Sequence, residues 1–464
     1  MAYGQGRLLK GRSILTAVIE MPVRQNASLL AGSKLVILGP LIAIAGGRWG
    51  SYLGLGGTPV YFADLAVGVG ALLLLSASLG ERSEAGSESG RVPRSLWFAS
   101  SCMAVVLVIG LIRTPSLSLF TARDALPFFY LLLIPLFYRA IQTLGRDTSF
   151  RWLRNAAIVH LVWFAPAVFK VLPEITIPFF GGTPAFSPRG DFDLMICGLT
   201  IVVVAADKKM RTSWRVILVL ITLVAAFSNG SRAGLIAAFA VVGVVLIISR
   251  PFSDPARGLL RFGLSALAVV PLTAIIILLV VDPPEWAVAV QKLLPSDSSV
   301  YQSGQNTWNA RISAWQLIAN YASADGGAVS FGFGFGSFPI RDSGAVQYLS
   351  GDVAVRAAHN FLVTWFAFTG LVGVGFVVLA LVAWAVATVP AAFSMRGTNA
   401  IGLGLVVGVL VAAVAGVILE SPFGYMTFAL AIAFAAQRQE LSSGEAPGNL
   451  KDFSTSLPSP RRER

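Results

Sequence analysis

Apolar runs long enough to cross a bilayer recur through most of this chain, and they decide what it can fold into. A membrane-crossing helix needs about 20 predominantly apolar residues, because lipid offers no partner for an unpaired backbone group. Twelve candidate spans follow: residues 29–46, 62–80, 96–112, 125–142, 155–172, 191–206, 214–228, 233–249, 261–281, 360–388, 400–419 and 421–437. The first is interrupted by Pro40. The run 360–388 exceeds what a bilayer requires, so it is expected to tilt, or to begin outside the membrane and bend near Gly370. Composition agrees: 55% of residues are hydrophobic, 12% charged, and the mean hydropathy is +0.74. Soluble domains carry about 25% charged residues. The expected fold class is an all-α, polytopic membrane protein. Cys102 and Cys197 both sit inside apolar runs, which argues against a disulfide framework and against a cysteine metal site.

The net charge of +12 would suit a nucleic-acid binder, but its distribution points to topology instead. Most Lys and Arg fall in alternate connections: the N-terminus, 81–95, 139–154, 207–215, 250–261, Arg396 and the C-terminal tail. Positive residues stay on the cytoplasmic side, so both termini are expected there, and no nucleic-acid partner is. "DKKMRTSWR" (207–215) is the clearest such loop and reads as a topology signal alone. The first thirty residues lack a compact apolar stretch with a small-residue cleavage site, so no cleavable signal peptide is expected. The chain then divides into a cytoplasmic segment 1–28, helices over 29–281, an extracytoplasmic loop subdomain 282–358, helices over 359–437, and a Ser-, Pro- and Arg-rich tail 438–464, expected to be disordered. In the loop, "NTWNARISAWQLIANY" (306–321) repeats Ile312, Trp315, Ile318 and Tyr321 every three residues. That spacing predicts a short amphipathic helix near the membrane surface. A structureless loop of this length is uncommon, so a functional outer subdomain is expected.

With the topology set, the outer polar residues need another explanation. In "FSNGSRAGL" (227–235), Ser228, Asn229, Gly230 and Ser231 make a tight turn and Arg232 opens the next helix. A helix N-terminus favours anions, and a guanidinium fork matches phosphate. The plainer reading is an arginine snorkelling to headgroups. Arg311 precedes Trp315 by four residues and, taken alone, reads as a solvated face residue. Arg189, in "SPRGDFD", stands beside Asp191 and Asp193. The two carboxylates are weak candidates for a divalent metal, and a local ion pair with Arg189 is the plainer account. In "RAAHNFLVTW" (356–365), His359 stands between Arg356 and Asn360 where a long apolar run begins. Histidine exchanges protons near neutral pH, although a lone histidine is usually structural. His160, inside the fifth run, reads as structural, bonded to a neighbouring helix. "FGFGFGSF" (331–338) lacks the G-x-G-x-x-G spacing of a phosphate loop and reads as a flexible turn packing aromatic residues against the membrane. Glu420, at the outer end of the eleventh run, suits substrate binding and helix capping equally.

Three segments together resemble the O-antigen ligase and polymerase superfamily: "SNGSRAG" (228–234), "RISAWQ" running into "GFGFGSF" (311–338), and "HNFLVTWFAFTGLVG" (359–373). The likeness covers roughly residues 190–437; the N-terminal third agrees in hydropathy only. The resemblance implies a GT-C-like membrane glycosyltransferase acting outside the cytoplasmic (inner) membrane on a glycan carried by undecaprenyl diphosphate. It further implies that Arg232 and Arg311 hold the diphosphate and that His359 activates the acceptor. Arg189, Asn360, Ser231 and Glu420 are secondary candidates. The implied partners are the lipid-linked donor, a glycan or lipid acceptor, and membrane lipids. Two arginines can stabilise the leaving group without a metal, and no cofactor is expected. A ligase and a polymerase would need the same residues. A lipid-linked glycan flippase or other secondary transporter is the alternative, but transporters place their ionisable sites near the midplane, whereas the residues singled out here collect on one face.

Overall fold

The computed structural model describes residues 27–54, 61–80, 92–173, 175–176, 184–229, 231–249, 299–349, 356–414 and 416–438. The expected span 261–281, nearly all of the N-terminal segment and of the C-terminal tail, and the loop stretches 282–298 and 350–355 lie outside them. The helices run α1 (Ala27–Ser51), α2 (Phe62–Gly80), α3 (Arg94–Ile112), α4 (Leu119–Leu132), α5 (Ile134–Leu144), α6 (Arg146–Val168), α7 (Gly190–Ala206), α8 (Thr212–Asn229) and α9 (Arg232–Ser249). A two-residue hairpin, Ile175–Thr176 with Pro184–Ala185, precedes α7. The loop helices are α10 (Ser299–Ser323), α11 (Gly326–Phe331), α12 (Pro339–Asp342) and α13 (Val346–Leu349). Then come α14 (Phe361–Met395), α15 (Thr398–Val414), a 3₁₀ turn Ile418–Glu420, and α16 (Pro422–Ala435).

The described residues are all-α apart from the short hairpin, and the expected spans among them fall on helical segments, with 125–142 divided between α4 and α5 and 400–419 running past α15 into the 3₁₀ turn. Length and apolarity are a stricter test. Among the described residues, Ala27–Gly47, Arg94–Ile112, Thr212–Asn229 and Phe361–Met395 are long and apolar enough to cross a membrane. The bent pair α4–α5, turning by 50°, makes a fifth if it counts as one span. The bend has a cause: Pro135 stands at the start of α5 and has no N–H to continue the ladder of α4. Four shorter apolar helices accompany these: Phe62–Ala77, Ala233–Ser249, Thr398–Val414 and Phe423–Ala435. Between helices that share lipid, small residues let backbones approach. A Cβ on Gly198 of α7 would lie 2.7 Å from the Ala238 carbonyl of α9.

Connections grouped by the charge pattern also meet in space. At one end of the bundle Arg154 pairs with Asp207, Arg146 donates to the Arg396 carbonyl (3.3 Å), and Asn399 donates to the Gln437 carbonyl (2.6 Å). At the other, Arg113 donates to the Gly332 carbonyl (3.2 Å) and Asp124 pairs with Arg356.

The long helix α14 bends at Gly370, whose φ of 65° and ψ of −171° interrupt the helix. The carbonyls of Ala367 and Phe368 are then satisfied from outside the helix. Phe333 N–H donates to Ala367 (2.9 Å) and Gly334 N–H to Phe368 (3.0 Å). The next two amides go to α3 and α4: Phe335 N–H to the Gly110 carbonyl (3.0 Å) and Gly336 N–H to Asp124 (2.9 Å). Gly332, Gly334 and Gly336 hold φ of 72°, 81° and 80°, a region that penalises any side chain. The aromatic glycine turn is therefore threaded between helices rather than laid on the membrane. Phe335 is fully buried, with Phe128 at 5.2 Å and Phe368 at 5.9 Å between ring centroids.

The loop helix also differs from expectation. It runs from Ser299 to Ser323, and its buried residues Ala314 and Ile318 face Ile340, Ala345, Val346, Ala358 and Ala367. Its apolar face thus builds a small core between the loop helices and the start of α14. His160 does bond a neighbouring helix: its Nε2 lies 3.2 Å from Asp193 of α7, with both side chains fully buried.

Candidate functional site

The site forms where the starts of α7, α9 and α14 meet the middle of α10 and the turn before α16. Each piece has a local reason for its place. Helix α9 begins at the Ser-Arg turn, where Ser231 Oγ accepts the Gly234 N–H at 3.3 Å as an N-cap. Gly234 lies so close to α7 that a Cβ there would sit 1.9 Å from the Gly190 carbonyl. Ser231 in turn covers Gly190, where a Cβ would meet Ser231 Cβ at 2.3 Å. The start of α9 at Arg232 is thereby stacked on the start of α7 at Gly190; the Arg232 side chain lies outside the described residues.

Helix α14 is capped by Asn360, whose Oδ1 accepts the N–H groups of Leu362 (3.0 Å) and Val363 (3.3 Å). Its Nδ2 donates to the Val414 carbonyl at the end of α15 (3.1 Å). His359, the residue before the cap, has φ of 57°. A left-handed histidine is uncommon, and strained residues of this kind gather at functional sites. Glu420 completes the junction. Its Oε1 accepts from Thr364 Oγ1 (2.5 Å) and from Asn360 N–H (3.1 Å), while its buried Oε2 has no hydrogen-bond partner among the described residues.

The charges converge on His359. Arg311 and Asp191 both act on its imidazole, and Arg311 also feels Asp191 and Glu420. Burial, and then the Arg311 guanidinium, hold the His359 pKa below its ordinary 6.5, while Asp191 pulls the other way. At neutral pH the ring is therefore neutral and free to accept a proton. Burial also lowers the Arg311 pKa, opposed by Asp191 and Glu420. Burial pushes Glu420 up to about 8, against the Thr364 hydroxyl, the amides of Asn360 and His359, and Arg311. A carboxyl at that value is mostly protonated at pH 7, so it can donate through Oε2 as well as accept.

Of the residues singled out in the sequence, Arg311, His359, Asn360 and Glu420 come together, with Ser231 at the neighbouring turn. Asp191 and Asp193 separate. Asp191 turns toward the site, close enough to Gly416 that a Cβ there would lie 2.6 Å from its Oδ2. Asp193 is fully buried, taking His160 Nε2 and the Arg189 N–H (2.5 Å). Arg189 itself is exposed at the α7 N-cap. Among the described residues no group of three or more His, Cys, Asp or Glu could hold a metal ion. Thr364 was not legible as a site residue; its one signal was a hydroxyl one turn inside the helix that His359 precedes.

Residues 217–378 match the O-antigen ligase family. That segment of the chain is similar to O-antigen ligases. The O-antigen ligase segment takes in the Ser-Arg turn, Arg311, the glycine turn, His359 and the break at Gly370. Asp191 and Glu420 lie outside it and join through the fold. The match supports a membrane glycosyltransferase-like role. No curated protein matches the chain.

Proposed function

We propose that this protein transfers a glycan from undecaprenyl diphosphate to an acceptor hydroxyl at the outer face of the cytoplasmic membrane, with both termini inside. His359 takes the proton from the acceptor hydroxyl as its oxygen attacks the anomeric carbon. The bond from that carbon to the diphosphate oxygen breaks, and the lipid diphosphate leaves with the electron pair. Arg311 and Arg232 stabilise the charge that grows on the diphosphate. Direct attack from the face opposite the leaving group inverts the anomeric centre. Glu420, through Asn360 and Thr364, fixes the turn that carries the base. Ligase and polymerase chemistry differ only in the acceptor.

The observation that carries this reading is the neutral, left-handed His359 within electrostatic reach of Arg311, between elements far apart in sequence. A general base is useful when it is unprotonated at working pH and next to the charge that stabilises the leaving group. The test uses purified full-length protein in lipid nanodiscs, a synthetic polyprenyl-diphosphate glycan and a hydroxyl acceptor. A new glycosidic bond, lost in His359→Ala with assembly intact, is the expected result. Wild-type turnover by that variant removes the base assignment, and transbilayer movement without bond formation makes the protein a transporter.

A further inference from the structure

The two halves of the site sit on different elements: Arg311 on α10 and His359 on the turn before α14. Trp315 joins them. It follows Arg311 by four residues, so the two side chains share one face of α10. Its indole Nε1–H donates to the carbonyl of Ala358 at 2.8 Å. That carbonyl belongs to the peptide that enters His359. The amide of the same residue, Ala358 N–H, donates to Thr364 Oγ1 at 2.9 Å, and the Thr364 hydroxyl in turn donates to Glu420 Oε1. Beyond His359, the Asn360 N–H donates to the same carboxyl. The left-handed residue is thus gripped on both sides, and the Trp315 bond is the grip that comes from the arginine's helix. Ala358 is fully buried in the loop core with Ala314 and Ile318, so its carbonyl has little access to water in exchange.

We propose that Trp315 is a positioning residue for the base: its indole N–H sets the peptide entering His359, so that the imidazole keeps one register with Arg311. This rests on the reading of His359 as the base. A displacement of about 1 Å at a reacting group costs about 10²-fold in rate even when it arises away from the chemistry. Uniform binding of the donor through the arginines is untouched by such a displacement, so the loss belongs in kcat rather than KM.

Two substitutions separate the donor from the bulk. Trp315→Phe keeps an aromatic ring and removes the N–H. Trp315→His gives up the six-membered ring but keeps an N–H, because imidazole Nε2 occupies the place of indole Nε1 on the five-membered ring. Both are measured as full-length protein in nanodiscs with the lipid-diphosphate donor, beside His359→Ala. The expected result is a kcat for Trp315→Phe lowered about 10–100-fold, a donor KM within about twofold of wild type, and substantial recovery of kcat in Trp315→His. Wild-type kcat in Trp315→Phe overturns the proposal, as does activity that follows bulk, with Trp315→Phe above Trp315→His. A Trp315→Phe protein that does not fold, beside a Trp315→His protein that does, makes the bond a folding requirement and overturns it equally. Full activity in His359→Ala instead removes the base reading underneath, which keeps the two failures distinguishable.

Discussion

Replacing Asp124 by alanine tests how the loop subdomain is fastened to the helices. Asp124 and Arg356 are an ion pair whose side chains are 6% and 7% exposed. Arg356 Nε lies 3.2 Å from Asp124 Oδ1, and its Nη2 also donates to the Ser337 carbonyl (2.8 Å). The guanidinium lies over Phe338 at 4.3 Å and Phe120 at 4.9 Å from the ring centroids, and the carboxylate takes the Gly336 N–H. Removing one member of a buried pair leaves an uncompensated charge, at about 3–5 kcal/mol. The orphaned amide adds about 1–3 kcal/mol. Against a total stability of about 5–15 kcal/mol, Asp124→Ala should lower the unfolding midpoint steeply. The combination Asp124→Leu with Arg356→Met removes both charges and leaves the Gly336 amide and the Ser337 carbonyl unpaired, at about 1–3 kcal/mol each, so it should cost less than the single variant's lone buried charge and orphaned amide together. Cys102 and Cys197 are free and buried, so a thiol-reactive fluorophore reports unfolding in detergent without added labels. A single variant as stable as the double one would refute the argument, since it would mean that the buried charge does not need its partner.

The remaining predictions concern the site. The pKa of His359 lies below 6.5, so kcat/KM should rise through an acid limb centred below that value; a limb above 6.5 contradicts the neutral-base reading. The folded Glu420 carboxyl holds its proton up to about 8 against an ordinary 4.5. Folding therefore takes up a proton between those values, and this contribution to stability is full below 4.5 and lost as pH rises through 8. Glu420→Gln should flatten that part of a plot of melting midpoint against pH. Gly370→Ala puts a Cβ 2.3 Å from the Ser330 carbonyl carbon at a φ of 65°, and should cost at least about 1–3 kcal/mol, read as a lowered midpoint. Arg311→Lys loses the fork that matches a diphosphate, and should raise the donor KM or lower kcat several-fold in the transfer assay.

Much of the architecture was legible because lipid imposes one rule on every span. Apolar runs marked the helices, and the basic connections grouped loops that do meet, as Arg154 and Asp207 do. Residue types carried the site's three strongest marks: a histidine beside an asparagine where a long apolar run begins, an arginine one turn before a tryptophan, and a Ser-Arg turn. What stayed hidden depends on tertiary contact. Nothing in "SPRGDFD" tells Asp191 from Asp193, because the difference is which helix each meets: one faces Gly416, the other His160. The glycine turn was misplaced for a similar reason. Two of its backbone amides find their acceptors at the break at Gly370, more than thirty residues later, and the next two on Gly110 and Asp124, far earlier, and no local pattern shows that pairing.

That break carries a practical consequence. Four successive amides of the loop, from Phe333 to Gly336, end on groups belonging to α3, α4 and α14. A soluble fragment cut at 282 and 358 would expose all four and strip Phe335 of its cover. Truncation work on this segment is better done by grafting substitutions into the intact chain than by excising it.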